Sequence, residues 1–389
     1  MLYTKEQRTI LEMLFAGHQR YNEVLEPMAA FFEKEIAAGA KSIDRKQTFP
    51  RENLEKLAAK GLFGMPFPAE YGGADIPFPI YVAAQEMLAK ACANTALQVS
   101  IQGMVCEGIR LFGDDDQKMR FLKDYGLIKG EKLISFALTE PCCGSDAKSL
   151  QTSAGLSKDS YVLKGNKMMI TNPGETDFSL VFARTDKGIS SFLVSTDSPG
   201  FNVLKSIPKL GFRGNQLAAV HLDNCRVPKD NLLGEEGKGL EYAKQILNAG
   251  RITIAAIGVG IAQAAFEKSL RYSRKRKAFG ESISNFQLVQ EKLSDMSTDI
   301  SAARLLTYNA AFLKNQGKDT ALEASRAKLF SSETALRVCD HAIQIHGGYG
   351  YTDEYDVHRH WRDARLLTIG EGTSDMLRLL IAHLELKDV

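Results

Sequence analysis

A double change of hydrophobic period along the chain restricts its fold more than any other feature. From residue 1 to about 125 the pattern is helical, with connectors such as Gly61-Leu62-Phe63-Gly64-Met65-Pro66 and Tyr71-Gly72-Gly73-Ala74-Asp75-Ile76-Pro77. Between about 130 and 235 strand-like segments replace it: Tyr161-Val162-Leu163-Lys164, then Phe178, Leu180 and Phe182 on one face, Phe192 with Val194, and Val220 with Leu222. Gly165-Asn166 suits a hairpin turn, while Pro199-Gly200, Pro208 and Pro228 bound other segments. After about 238 the helical period returns: Phe286, Val289, Leu293, Met296, Ile300 and Ala303 step by three and four, and Leu322, Leu329, Leu336 and Ile343 by seven. The heptad would also suit an extended coiled coil, but Gly317 and Gly347-Gly348 interrupt it and favour a compact bundle. The expected fold is α+β and mostly α. An N-terminal helical domain (1–127) precedes a central antiparallel β-barrel or sandwich (128–236) and a C-terminal four-helix bundle (237–389).

A chain of 389 residues with 44% apolar content can bury the cores of two or three domains. Lys and Arg total 49 against 47 Asp and Glu, a balance that lacks the electrostatic footprint of a nucleic-acid binder. Small molecules and other proteins are the expected partners. Six cysteines (Cys92, Cys106, Cys142, Cys143, Cys225, Cys339) show no metal spacing and read as reduced thiols. No run suits a membrane span and no targeting pattern opens the sequence, so a cytoplasmic protein without membrane insertion is expected.

Five segments carry candidate chemistry. Phe136-Ala137-Leu138-Thr139-Glu140-Pro141-Cys142-Cys143-Gly144-Ser145-Asp146 runs from a strand candidate into a loop whose N–H groups could approach a phosphate or a planar ring. Lys167-Met168-Met169-Ile170-Thr171-Asn172 follows. Arg276-Lys277-Ala278-Phe279-Gly280, with Phe286 and Gln287 beyond, is by its residues alone better read as the solvated basic helix end Arg271 to Lys277. Gln344-Ile345-His346-Gly347-Gly348-Tyr349-Gly350-Tyr351, with Glu354, Arg359, Arg362 and Asp363, contains a Gly-x-Gly, but a helix precedes it where a dinucleotide fingerprint needs a strand. Ile369-Gly370-Glu371-Gly372-Thr373-Ser374-Asp375 sets a carboxylate between glycines, which suits a solvated turn as well as a base. His341, His346, His358 and His360 complete no recognisable metal site, so no metal is expected.

Taken in order, these blocks resemble the acyl-CoA dehydrogenase family over essentially the whole chain. The resemblance implies FAD bound between the barrel, the bundle and a neighbouring subunit, hence a homotetramer. It assigns cofactor contacts to Phe136, Leu138, Thr139, Gly144, Ser145, Met169, Ile170, Thr171, Arg276, Ala278, Phe279, Phe286, Gln287, Gln344, Gly347, Gly348, Thr373 and Asp375. Ser145, Arg251 and Gly372 would meet substrate, and Glu371 would be the base. The implied reaction is α,β-dehydrogenation of an acyl-CoA thioester, with electrons passed to an electron-transfer flavoprotein. Its alternatives are an enoyl-CoA reductase, an oxidase, a non-decarboxylating glutaryl-CoA-type enzyme and a catalytically dead binding protein.

Some relatives carry the base immediately before an arginine that matches Arg251, where this chain has Gly250. Only one of the two base positions therefore holds a carboxylate. Met169 stands where Trp is common and Gly370 where Tyr or Leu is common, which points to a branched, cyclic or otherwise wide acyl group in preference to a straight short chain. The segment 94–102 falls where the family lines its acyl pocket, and its polarity disfavours a long alkyl chain. Thr95, near the position of a glutaryl-binding arginine, disfavours glutaryl. Cys142 and Cys143 replace small residues and are read as packed thiols.

Overall fold

The structure, a computed structural model, describes residues 2–14 and 19–387. Helices α1 (Lys5–Leu14), α2 (Gln19–Phe31), α3 (Ala40–Lys46) and α4 (Arg51–Ala59) surround α5 (Phe78–Phe112). Cys92 takes extended angles (φ −154°, ψ 100°) and divides α5 in two. The short α6 (Asp115–Gln117) is fixed by a capping box between Asp114 and Gln117.

The central domain contains β1 (Ile134–Ala137), β2 (Ser153–Ser157), β3 (Ser160–Thr171), β4 (Phe178–Thr185), β5 (Gly188–Ser195), β6 (Phe201–Val203), β7 (Leu217–Pro228) and β8 (Leu232–Leu233). They form one sheet in the order β6-β7-β3-β2-β4-β5-β8, with β1 added alongside β4. The pairing is antiparallel except that β1 runs parallel to β4 and β2 meets β4 at one parallel bridge. The expected all-antiparallel domain is thus mixed where the chain enters from the helices.

Gly165-Asn166 does not form a hairpin turn. It lies inside β3 at a register shift, where a Cβ on Gly165 would stand 2.5 Å from Thr152 Oγ1. The β2–β3 turn falls instead at Lys158-Asp159, with Lys158 left-handed at φ 55°. Alternation in β4 buries both faces. Leu180 and Phe182 face the helices, while Val181 and Ala183 join Phe192, Val194, Val220 and Leu222 in the β domain's own core.

The C-terminal bundle is built from α7 (Gly239–Lys275), α8 (Gln287–Asn315), α9 (Ala321–His346) and α10 (Val357–Leu367), with α11 (Ser374–Lys387) packed on α9. A two-strand hairpin, β9 (Lys277–Ala278) and β10 (Glu281–Ser282), links α7 to α8. The heptad Leu322, Leu329, Leu336 and Ile343 is only half-buried. Small residues make the tight contact: Ala324, Ala327, Ala335 and Ala342 are buried on α9, and a Cβ on Gly258 of α7 would lie 3.1 Å from the Ser331 carbonyl. On α7's other side, a Cβ on Gly260 would stand 2.3 Å from the Glu86 carbonyl of α5. Among the described residues α7 alone is long and apolar enough to cross a membrane, and nearly all of that stretch is buried inside the protein.

Buried polar groups fix the domains to one another. Arg304 on α8 bonds Glu86 of α5 (2.8 Å) and Gln263 of α7 (2.9 Å), and also pairs with Glu6 of α1. Segment 94–102 is polar for the same reason. Its Gln98 accepts from Asn172, Gln102 accepts from the Ile134 N–H, and Thr95 accepts from Asn53. The first two bonds dock α5 onto the β domain, and the third ties it to α4. Arg362 pairs with Asp44, and Asp363 accepts the Phe212 N–H, so part of the 344–363 segment does the same work.

Candidate active site

The turn between α10 and α11 is held from within and from below. The Ile369 and Gly370 N–H groups both reach the Leu366 carbonyl at 2.9 Å, and the Ser374 N–H reaches Thr368 at 3.0 Å. Glu371 then sits in the left-handed region (φ 54°), followed by Gly372 (φ 99°). A left-handed glutamate is strained and persists only where its surroundings over-determine it. Two cations do so, one half-buried and one buried: Arg251 Nε approaches the Glu371 carbonyl at 3.4 Å, and Lys328 Nζ donates to the Gly372 carbonyl at 2.6 Å. The Glu371 N–H has no acceptor among the described residues.

The carboxyl group points inward over α7. Its Oε2 is shielded from solvent and has no hydrogen-bond partner among the described residues. Burial raises the Glu371 pKa to about 7, while the charges of Lys328 and Arg251 restrain the rise. A group poised there can take a proton at neutral pH. A Cβ on Gly250 would stand 2.6 Å from Glu371 Oε2 and 2.7 Å from Met104 Sδ. The space that a side chain at position 250 would fill is therefore occupied by the Glu371 carboxyl. Gly250→Ala is expected to push the carboxyl aside and lower turnover on the order of 100-fold, the usual cost of an ångström of misplacement. Steady-state dye reduction would measure it, and an unchanged rate would contradict this placement.

The loop after β1 rests on a buried ion pair. Lys167 Nζ lies 2.7 Å from Glu140 Oε1 and 3.2 Å from the Leu138 carbonyl. Glu140 also accepts the N–H groups of Gln151 (2.6 Å) and Thr152 (3.0 Å). Burial opposes its ionisation, but these bonds outweigh it and hold its pKa below the ordinary value. The Met168 N–H reaches the Thr139 carbonyl, which sets Thr139 beside the segment that carries Met169, Ile170 and Thr171. Met169 is left-handed (φ 57°) and half exposed, whereas the Ile170 side chain is buried in the β domain's core. That side chain is therefore closed to a ligand, and the Ile170 backbone is in register with Ala218 of β7. Phe136 packs on Phe182 (ring centroids 5.1 Å), Leu138, Thr139 and Thr171 are half-buried, and Gly144 and Ser145 are exposed.

The ligand atoms of Glu140, Cys142 and Cys143 lie within 4.8 Å of one another, yet both Glu140 oxygens are already hydrogen-bonded. The packed-thiol reading suits Cys143, which is buried; Cys142 is exposed.

A second cluster lies at the far end of α9. Arg276 stands 5.9 Å from the Tyr349 ring and joins His346, Gly347 and Gly348 around a cavity of about 500 Å³. A Cβ on either glycine would meet nothing within 4 Å, so their bare backbone faces open space. Ala278 and Phe279 form the adjoining hairpin, with Phe279 97% exposed and 6.1 Å from Phe286; Gln287 and Gln344 are also exposed. Lys328 and Gly347 are separated by roughly 28 Å along the helix at 1.5 Å per residue. One chain thus unites Glu371, Gly372 and Arg251 but holds the Arg276 group apart. Thr373 caps α11 by accepting the Met376 N–H, and Asp375 is exposed beside Arg378.

Profiles of the acyl-CoA dehydrogenase N-terminal, middle and C-terminal domains match residues 19–131, 135–225 and 237–385. The chain belongs to the acyl-CoA dehydrogenase family. It is 42% identical to the probable acyl-CoA dehydrogenase YngJ of Bacillus subtilis, with 99% of both chains covered. To the human mitochondrial short-chain specific acyl-CoA dehydrogenase it is 41% identical, over 94% of this chain and 89% of the relative. The structure of butyryl-CoA dehydrogenase from Megasphaera elsdenii superposes with a TM-score of 0.90 at 37% identity, covering 98% of each chain. The fold is that of an acyl-CoA dehydrogenase family enzyme. Sequence reading passed over Lys328 and the Glu140–Lys167 pair. The available signal was a lysine among the small residues Ala324, Ala327 and Ser331 on the buried face of α9.

Proposed function

We propose that this acyl-CoA dehydrogenase removes hydrogen from the α and β carbons of a short, branched or cyclic acyl-CoA with FAD as cofactor, and passes the electrons to an electron-transfer flavoprotein. The observation that carries the reading is the unpartnered Glu371 Oε2, poised near neutrality above Gly250. The residues suit a flavin dinucleotide. Gly347 and Gly348 offer open backbone beside Arg276, and Thr139, Ser145, Met169 and Thr171 are half-buried or exposed on the β domain, open to a ligand. A flavin bound there would supply the acceptor for hydride from the β carbon.

Glu371 takes the α proton onto its carboxylate. The unpartnered N–H of the same residue receives the charge that develops on the thioester oxygen, so base and charge stabiliser come from one rigid turn. Arg251 fixes that turn from the side. Closure of the pocket by an apolar acyl group excludes water and keeps the base poised. The roughly 28 Å between the two clusters supports an assembly in which a second copy completes each cofactor site, the tetramer expected of the family.

Gly370 supports the choice of acyl group. A Cβ there would meet only ordinary contacts with Leu366 at 3.7 Å or more, so a larger residue fits the backbone and its absence leaves room. Gly370→Leu is expected to cut kcat/KM for isobutyryl- and cyclohexanecarboxyl-CoA at least about tenfold more than for butyryl-CoA, in the range of pocket discrimination. Anaerobic titration with an acyl-CoA panel tests the whole reading. Loss of flavin colour with these substrates supports it, a strong preference for butyryl-CoA removes the wide-pocket assignment, and rapid peroxide formation would indicate an oxidase.

A further inference from the structure

We infer that Lys328 is a positioning residue for the base: it clamps the 371–372 turn by the Gly372 carbonyl and supplies the positive charge that keeps Glu371 ionised in the pocket. The inference rests on the base reading above and adds a residue that the cofactor and substrate set does not contain.

Lys328 is fully buried in the third turn of α9, a costly place for an ammonium unless its position is used. Its 2.6 Å bond is made to a backbone carbonyl, and no carboxylate among the described residues hydrogen-bonds it. The bond sits one residue after the left-handed Glu371, where the turn would otherwise relax. Arg251 grips the preceding carbonyl from α7, so cations from two helices hold consecutive carbonyl oxygens and leave the intervening turn with a fixed direction for its N–H and side chain.

The charged groups around the pair are few. Glu371 is faced by Lys328 from α9 and Arg251 from α7, and Lys328 is faced by Glu371, Arg251 and Glu333. Burial lowers the Lys328 pKa to about 8, with Glu371 opposing the fall and Arg251 adding to it. At neutral pH the lysine is therefore mostly charged. Without that charge, burial would drive Glu371 further toward its protonated form.

The test is the pH profile of kcat/KM with butyryl-CoA for the flavin-loaded enzyme and for Lys328→Met, Lys328→Gln and Lys328→Arg. The acid limb of the wild type is expected near pH 7. Both neutral variants should move it up by about one unit, the shift that an opposite charge at this range produces, whereas Lys328→Arg should leave it close to wild type. Gln retains a donor for the Gly372 carbonyl and provides the reading if Met does not fold. A folded, flavin-containing neutral variant with an unmoved acid limb would overturn the inference, even if its kcat falls. Glu371→Gln separates the two levels. If it is inactive while the limb stays fixed, the lysine assignment alone fails; if it turns over normally, the base reading fails.

Discussion

Glu371→Gln is expected to lower turnover with acyl-CoA by 10²–10⁴-fold while the protein keeps its fold and its flavin. That range is the usual contribution of a positioned general base. Glutamine matches the carboxyl in shape, so the crowding over Gly250 is unchanged and the loss is chemical. The same substitution should stabilise the protein. The Glu371 pKa lies near 7 in the fold against an ordinary value of 4.5, so between these values the native state binds more protons than the unfolded state. Stability therefore falls as pH rises through that window, and above pH 7 the full cost is present. The variant should exceed wild type by up to about 3 kcal/mol at pH 8 and match it below pH 4.5. Urea denaturation at the two pH values measures this. A variant that is inactive and also less stable at pH 8 would mark Glu371 as a structural residue.

Lys167→Met is expected to be the most damaging single change for the β domain, at about 3–5 kcal/mol, because it strands a buried carboxylate. Glu140 would keep the Gln151 and Thr152 N–H bonds but lose its counter-charge. The loop from Thr139 to Ser145 would lose its anchor, so flavin release should precede unfolding on heating. Adding Glu140→Gln removes the stranded charge and should recover part of the loss, with a coupling energy of at least about 1 kcal/mol in the double-mutant cycle. Thermal melts followed by flavin fluorescence and by circular dichroism report both stages. Additive losses would show that the two residues act independently.

The three-part architecture was legible because hydrophobic period is a local property. Leu180 and Phe182, or Met296, Ile300 and Ala303, declare their element without reference to any other. What packs against what was less legible. The heptad from Leu322 to Ile343 is the more apolar stripe, yet the close approach of α9 to α7 is made by alanines and by Gly258, since backbone proximity rewards small side chains. Gly165 resembled a turn glycine because glycine marks close approach and reversal alike; its crowding by Thr152 emerges only when β2 and β3 are paired. The same holds at the site. Residues 370–372 drew attention by composition, but the clamp from Lys328 joins positions 44 residues apart, and Glu140 meets Lys167 across 27. Partnerships at that separation leave no local pattern.

The most direct measurement is anaerobic mixing of butyryl-CoA with flavin-loaded wild type and Glu371→Gln, followed at the flavin absorbance band. The wild type should lose its colour rapidly, and the variant should bind the same thioester yet stay yellow over the same period. Equal bleaching of the two proteins would contradict the assignment of Glu371 as the proton-abstracting base.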